Sequence, residues 1–241
     1  MKCFISMVVM CCFLLTVVPS FAQDEENKKK SEPLAVEFIP IKSEILIEDY
    51  LVQKFGVLLK MDEEIKGIDA HLRTLGFSPQ GKKKGVQNFW GARETYQSQS
   101  KVDKKSITFT VHLQSYAKPG SKDSMAIGQV IVNAGDRSET YSFYLSAPNR
   151  NFEAMEEYTM DKKLRLSKAN SWWSCVKSDI RKRCATTCLS SLITCAPSAS
   201  TIVGYVACVA IQCGGCATKS IACCSCDCSW WCKWAVGCCD R

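Results

Sequence analysis

The sequence predicts an α+β N-terminal domain with an antiparallel meander, followed by a small, disulfide-rich, mainly helical C-terminal domain. Two observations lead to this fold class. From Ile107 onward, apolar and polar residues alternate in short runs separated by tight turns, as in antiparallel strands. Of the 17 cysteines, 14 lie between Cys175 and Cys239, and none lies between Phe13 and Ser174. Such local density is typical of a disulfide or metal scaffold.

The first 22 residues have the pattern of a secretory signal peptide. A basic Lys2 precedes an apolar run from Phe4 to Val18, and small residues at Ser20 and Ala22 favour cleavage after Ala22. At about 15 residues the run is short for a membrane span, which needs roughly 20, although an uncleaved anchor is the alternative. We therefore expect a secreted chain with a polar leader at residues 23–31. In an oxidising compartment its cysteines form disulfides.

The N-terminal domain is expected to occupy residues 32–150, as a propeptide or an immunity region, and to begin with helix. Asp62 can cap a helix in which Ile65, Ile68 and Leu72 recur at three- and four-residue spacing, and Gly76 can end it. The preceding stretch, 45–59, fits either a helix or a strand.

Strands are expected in the second half of this domain. Ile107, Phe109, Val111 and Leu113 alternate with polar residues, and a Pro-Gly turn at 119–120 follows. Two further apolar stretches, 126–132 and 140–145, flank an Asn-Ala-Gly-Asp turn. Three strands joined by tight turns form an antiparallel meander.

Residues 151–174 form a charged segment with little apolar periodicity, which predicts a linker with a processing site. Exposed linkers of this kind are preferred by proteases. Peptide bonds next to basic residues, where a protease could cut, occur within Asp161–Lys168 and again at Arg181–Arg183. The alternative is an exposed linker that is never cut.

The lysine runs at 82–84 and 104–105 are interpreted as solvated loops.

The C-terminal domain, residues 175–241, contains 35 consecutive uncharged residues between Arg183 and Lys219. Asp179–Thr194 and Ser200–Cys213 can both be helical, with Ser198 or Ser200 as a cap and Gly214-Gly215 as a stop. Cys184, Cys188 and Cys195 would line one face of the first helix. The pattern predicts an antiparallel helical hairpin held by disulfides.

The mature chain keeps an even number of cysteines, compatible with seven bridges whose connectivity the spacing does not define. The predicted disulfide cysteines are Cys175, Cys184, Cys188, Cys195, Cys208, Cys213, Cys216, Cys223, Cys224, Cys226, Cys228, Cys232, Cys238 and Cys239. The alternative is a thiolate metal site built on Cys223–Cys228 and the Cys-x-x-Cys at Cys213 and Cys216. We predict bridges and no metal or other cofactor, because an exported chain is oxidised.

Catalytic motifs are lacking, and we predict that the protein is not an enzyme. The sequence contains no nucleophile elbow, phosphate loop or His-Glu-x-x-His motif. Its two histidines, His71 and His112, lie far from any cysteine, and we expect them to be surface or half-buried residues. The net charge of +7 selects neither nucleic acid nor a membrane, and we predict no nucleic-acid partner.

The cysteine pattern of the tail resembles the halocin C8-like bacteriocin domain family. The resemblance covers residues 175–213: Cys175-x8-Cys184-x3-Cys188, an apolar run to Cys195, and the small-residue segment Val203–Cys213. It implies a signal sequence, an N-terminal region and a C-terminal antimicrobial peptide released by cleavage. In haloarchaeal precursors the N-terminal region confers immunity, so it implies that the N-terminal domain binds the C-terminal peptide. The chain differs from that family in lacking a twin-arginine signal.

We therefore predict a secreted bacteriocin precursor whose C-terminal peptide kills or inhibits related cells, with the membrane as a candidate site of action. The expected partner is a target-cell membrane or an envelope protein. Tryptophans prefer membrane interfaces, and a basic tail favours anionic lipid. The candidate membrane-contact residues are Trp172, Trp173, Trp230, Trp231 and Trp234. The alternatives are an extracellular disulfide-stapled interaction module and, third, a thiolate metal-binding protein.

Overall fold

A computed structural model of the chain describes residues 38–99, 105–160, 165–169, 172–184 and 186–225. The predicted signal peptide with its cleavage position Ala22 and the polar leader lie outside these residues. The described residues all belong to one compact unit.

The centre of the unit is an antiparallel sheet. Its strands are β1 (Phe38–Ile45), β2 (Ser78–Pro79), β3 (Phe89–Ser98), β4 (Ser106–Ala117), β5 (Ser124–Ala134), β6 (Arg137–Ala147), β7 (Glu156–Met160) and β8 (Leu166–Ala169). The strands lie in the order β1-β3-β4-β5-β6-β7-β8, with the short β2 also paired to β4. The predicted meander is confirmed as β4, β5 and β6, and the structure extends it on both sides.

Helices cover both faces of the sheet. They are α1 (Glu48–Met61), α2 (Glu63–Thr74), α3 (Trp172–Arg183), α4 (Thr186–Thr194), α5 (Ile202–Cys213) and α6 (Gly215–Ser225). The first two helices pack on one face through a core that includes Phe55, Ile68 and Ile127. The other four pack on the opposite face through a core that includes Phe109, Phe143 and Val206.

The helices α1 and α2 form where the apolar periodicity is helical. The Asp62 side chain accepts a hydrogen bond from the Ile65 amide at 3.0 Å, which confirms the predicted cap of α2. The helix ends at Thr74, and Gly76 follows it with a φ of +85°. The ambiguous stretch 45–59 is mainly helix α1, which buries Leu51, Phe55 and Leu58.

The polar face of β4 is covered by α1 and α2. Thr110 and Gln114 are buried there, and His112 is only 1% exposed. The expectation that His112 is a surface or half-buried residue is therefore wrong. Alternation correctly separated the two faces of the strand but did not reveal that helices cover both.

The helical part of the tail differs in detail from the prediction. One helix was expected over Asp179–Thr194, whereas the structure has α3 and α4 with a break after Arg183. The second expected helix is present as α5, and its cap is Thr201, not Ser198 or Ser200. Helix α6 was not expected.

The charged segment 151–174 contributes a 3-10 turn at Phe152–Ala154, both strands β7 and β8, and the start of α3. Glu156 on β7 and Lys168 on β8 form an ion pair across this edge of the sheet. Two of the charges in this segment thus pair with each other, whereas Glu157 is buried in β7.

Candidate functional site

The C-terminal helices form a cross-linked unit, which we call the stapled unit (α3 to α6). Its four described disulfides are concentric: Cys175–Cys224 encloses Cys184–Cys216, which encloses Cys188–Cys213, which encloses Cys195–Cys208. The chain therefore folds back on itself at residues 196–201, with α3 against α6 and α4 against α5. The prediction of a disulfide-rich helical hairpin is confirmed.

The disulfides constrain the unfolded chain strongly. The innermost bridge closes a loop with a sequence separation of 13 residues. A loop of that size corresponds to about 3 kcal/mol of lost unfolded-state entropy. Each outer bridge closes a loop that the inner bridges have already shortened. The contributions of the bridges to stability are therefore not additive. Several such bridges are typical of proteins that fold in an oxidising compartment.

The cysteines of the proposed metal sites take part in disulfides where the structure describes them. Cys213 and Cys216 pair with Cys188 and Cys184, and Cys224 pairs with Cys175. Cys223 is disulfide-bonded as well. The predicted cysteines Cys226, Cys228, Cys232, Cys238 and Cys239 lie outside the described residues. Within the described ranges, no group of three or more His, Cys, Asp or Glu residues is placed to hold a metal ion.

Helix α5 is the most deeply buried element of the stapled unit. Thr201 caps its N-terminus by accepting a hydrogen bond from the Gly204 amide, and Gly214 ends it with a φ of +58°. Seven of its twelve residues are buried, because it packs against both α4 and the sheet. These residues are Ile202, Val203, Tyr205, Val206, Ala207, Val209 and Ala210.

Polar and aromatic contacts fix α5 on the sheet. The Ile202 amide donates to Ser124 Oγ at 2.9 Å, and Thr201 Oγ1 donates to the Gln87 carbonyl at 2.8 Å. The Tyr205 ring stacks on Phe152 with centroids 4.9 Å apart. The Ile202 amide at the helix N-terminus and the Gln87 carbonyl before β3 both gain a partner in this way.

A buried carboxylate on the sheet contacts the beginning of α6. Glu94 on β3 is 2% exposed and accepts a hydrogen bond from the Tyr96 hydroxyl at 2.6 Å. A Cβ atom at Gly215 would lie 2.5 Å from Glu94 Oε1, so a larger residue where α6 begins requires the Glu94 side chain to move. Burial raises the pKa of Glu94, and its hydrogen bonds from Tyr96 and Ser43 act in the opposite direction. The partial positive charge of a helix N-terminus favours a carboxylate at this place.

Lys219 completes the contact between α6 and β3. Its ammonium group lies 5.3 Å from the centroid of the Tyr96 ring. Burial lowers the pKa of Lys219, as does the nearby Arg183, whereas Asp179 and Glu94 raise it. Gly215 and Lys219, one turn apart on α6, thus pack against two neighbouring residues of β3, Glu94 and Tyr96.

The two histidines do not form a reactive group with the cysteines. His71 lies on α2, where its ring is 5.8 Å from that of Tyr144, and His112 lies beside Tyr50 at 6.1 Å. Both ring nitrogens of His112 are buried without a hydrogen-bond partner in the described part of the chain. Burial, together with Lys54 and Arg93, lowers the pKa of His112 to about 4. A neutral, enclosed imidazole is a structural feature of the α1/α2 layer.

The remaining predicted contact residues are only partly described. Trp172 and Trp173 begin α3, and Trp230, Trp231 and Trp234 lie outside the described residues. Of the lysine runs, residues 82–84 are exposed, as expected of a solvated loop, and Lys82 pairs with Asp49 at 2.5 Å. In the described ranges, no helix is long and apolar enough to cross a membrane.

The fold and the stapled unit define the class: an antiparallel α+β protein whose C-terminal helices are cross-linked to one another by disulfides. No family model, curated protein or solved structure matches the chain. The function must therefore be argued from these contacts.

Proposed function

We propose that the chain is a secreted precursor and that its stapled unit, with the residues that follow, is released as a disulfide-rich antimicrobial peptide. This proposal rests on the absence of any disulfide between the stapled unit and the sheet. Between Phe13 and Ser174 the sequence has no cysteine, so no disulfide joins the stapled unit to residues 38–169. The sheet and the stapled unit are joined covalently by one stretch of backbone, between Ala169 and Trp172.

Cleavage before Cys175 would leave the four described bridges intact. The released peptide would keep its hairpin shape, because each bridge joins one arm of the hairpin to the other. Cross-links of this kind resist heat and proteolysis in a small unit with little core of its own. These properties suit a peptide that acts outside the producing cell, as the resemblance to halocin C8-like precursors implies.

In this proposal the sheet acts as an inhibitor of the peptide. It covers the apolar residues of α5 and provides specific partners for it at Ser124 and Gln87. An apolar helix covered in this way is unavailable to a membrane or an envelope protein. The same contacts would allow the N-terminal part to bind free peptide, which is the immunity role implied by the resemblance.

The direct test is to identify and assay the secreted fragment. We expect N-terminal sequencing of the culture supernatant to give a fragment that begins between Asn151 and Cys175. We expect its mass to rise by about two units per bridge on reduction. The oxidised fragment should inhibit related strains and the reduced fragment should not. A chain that is secreted whole and is inactive after cutting would refute the proposal.

A second candidate is an extracellular interaction module in which the unit stays attached. The continuous core favours this reading, because sheet residues and residues from all four helices belong to one apolar cluster. Such a core is typical of one domain. The sequencing experiment separates the two candidates, since a module would be recovered only as the uncut chain.

A further inference from the structure

Charge is distributed very unevenly along the stapled unit. Its two ends are the collar (α3 and α6) and the tip (residues 186–213, with α4 and α5). The collar holds five basic residues and one acidic residue: Lys177, Arg181, Lys182, Arg183, Lys219 and Asp179. The tip holds no charged residue. Because the disulfides place α3 beside α6 and α4 beside α5, this difference in sequence becomes a polarity in space.

The tip presents apolar side chains in more than one direction. One side of α5 is buried against the sheet through Val206 and its neighbours. On the outside, Ile193 of α4 is 69% exposed and Ile211 of α5 is 71% exposed. Once the sheet is gone, the tip would be bordered by uncharged groups on both sides. That suits an apolar medium better than water.

Three polar side chains of the tip have hydrogen-bond partners within the stapled unit. Ser191 Oγ donates to the Cys188 carbonyl at 2.6 Å, and Ser198 Oγ donates to the Cys195 carbonyl at 3.1 Å. The Tyr205 hydroxyl donates to the Leu192 carbonyl at 3.0 Å. Internal partners of this kind lower the cost of moving a polar group into hydrocarbon.

The length of the tip matches one leaflet of a bilayer. Helix α5 has 12 residues, so it is about 18 Å long at 1.5 Å per residue. The hydrocarbon core of a bilayer is about 30 Å thick, or about 15 Å per leaflet. A tip of this length enters one leaflet and leaves the collar at the level of the phosphate groups. Basic residues are attracted to anionic lipid at that level.

We infer that, after cleavage, the stapled unit leaves the sheet and inserts tip first into one leaflet of an anionic bilayer. This inference rests on the proposed function and names its partner. The collar then faces the headgroups, and the tip replaces its contact with the sheet by contact with acyl chains.

The test uses the full oxidised chain with a site-specific protease sequence in place of Asn170-Ser171. Binding is measured by titration with vesicles of phosphatidylglycerol and with vesicles of phosphatidylcholine, before and after cutting. Two variants add the same charge at the two ends: Ile193→Lys at the tip and Ser178→Lys on the exposed side of the collar. Both positions are exposed, and non-reducing mass measurement verifies that the bridges have formed.

We expect the cut chain, and not the uncut chain, to transfer its C-terminal fragment to anionic vesicles. I193K should weaken that binding at least about tenfold, because a lysine is costly in hydrocarbon. S178K should strengthen it about fivefold, because a lysine near an anionic surface is favourable. No transfer, equal binding to both lipids, or equal effects of the two variants would overturn the inference. A fragment that inhibits cells but ignores vesicles would overturn it while leaving the proposed function intact, with an envelope protein as the target.

Discussion

The buried His112 predicts a loss of stability in mild acid. Its imidazole is 1% exposed, has no hydrogen-bond partner among the described residues, and is neutral in the fold because burial lowers its pKa to about 4. In the unfolded chain the same group takes up a proton with a pKa near 6.5. Between these values the unfolded state binds more protons than the folded state, so stability falls as the pH falls.

The magnitude follows from the size of the shift. A change in pKa from 6.5 to about 4 corresponds to about 3 kcal/mol of folding free energy. The loss begins near pH 6.5 and is complete below about pH 4. A loss of this size is a large fraction of the 5–15 kcal/mol typical of a domain.

The assay is urea unfolding of the oxidised chain at pH 7 and at steps down to pH 4, with His112→Gln as the comparison. The substitution changes packing by a constant amount at every pH but removes the titration. We therefore expect the wild-type and H112Q curves to converge as the pH falls. Parallel curves across this range would show that His112 is not the group responsible, and the reasoning from its burial would be wrong.

Three further predictions concern the stapled unit. Gly215→Ala should destabilise the chain by about 1–3 kcal/mol, because the new methyl group meets Glu94. Thermal unfolding of G215A should show a smaller loss of stability in the Glu94→Ala background than in the wild-type background. Equal losses in the two backgrounds would exclude that clash. Replacing Cys195 and Cys208 together by alanine should cost about 3 kcal/mol, measured by urea unfolding, and an unchanged midpoint would contradict the loop-closure account. Thr201→Ala should cost about 1 kcal/mol through loss of the cap on α5, whereas Thr201→Ser should retain most of it; equal losses in thermal unfolding would rule out the hydroxyl.

The sequence predicted those elements whose local pattern matches their environment. The strands β4, β5 and β6 alternate regularly, and the cap and spacing of α2 are local signals. Strand β3 was missed because Arg93 and Glu94 interrupt its apolar pattern. The structure places the second of these in a buried contact with a distant helix. Strands β7 and β8 were missed because charged residues interrupt their apolar pattern, among them the paired Glu156 and Lys168.

The sequence predicted the kind of unit at the C-terminus but not how its helices and disulfides are arranged. Cysteine density and the apolar stretch at 184–218 identified a stapled helical hairpin. The pairing of the bridges could not be obtained from spacing, because many pairings suit the same intervals. Helix α6 was missed because its residues are mostly cysteines and small residues, with one isoleucine and one lysine. Its position depends on Cys216, Cys224 and the fit of Gly215 to Glu94. No local signal predicted that the sheet would be the surface on which this unit packs.

Both faces of the sheet combine hydrogen bonds with an apolar core, but in different proportions, and this difference bears on the proposed release. The face under α1 and α2 uses directional bonds: Gln129 Nε2 donates to Asp62 and the Tyr116 hydroxyl donates to Asp69. The face under the stapled unit has a larger apolar core, with residues such as Phe109 and Phe143, beside the bonds of Ile202 to Ser124 and of Thr201 to Gln87. Hydrophobic contact is non-directional, so another apolar medium can replace it, whereas a specific hydrogen bond needs its own partner. In the proposed function, the helical layer with its own cross-links is therefore the one whose apolar contact with the sheet a bilayer would replace, at the cost of the two bonds at Ser124 and Gln87.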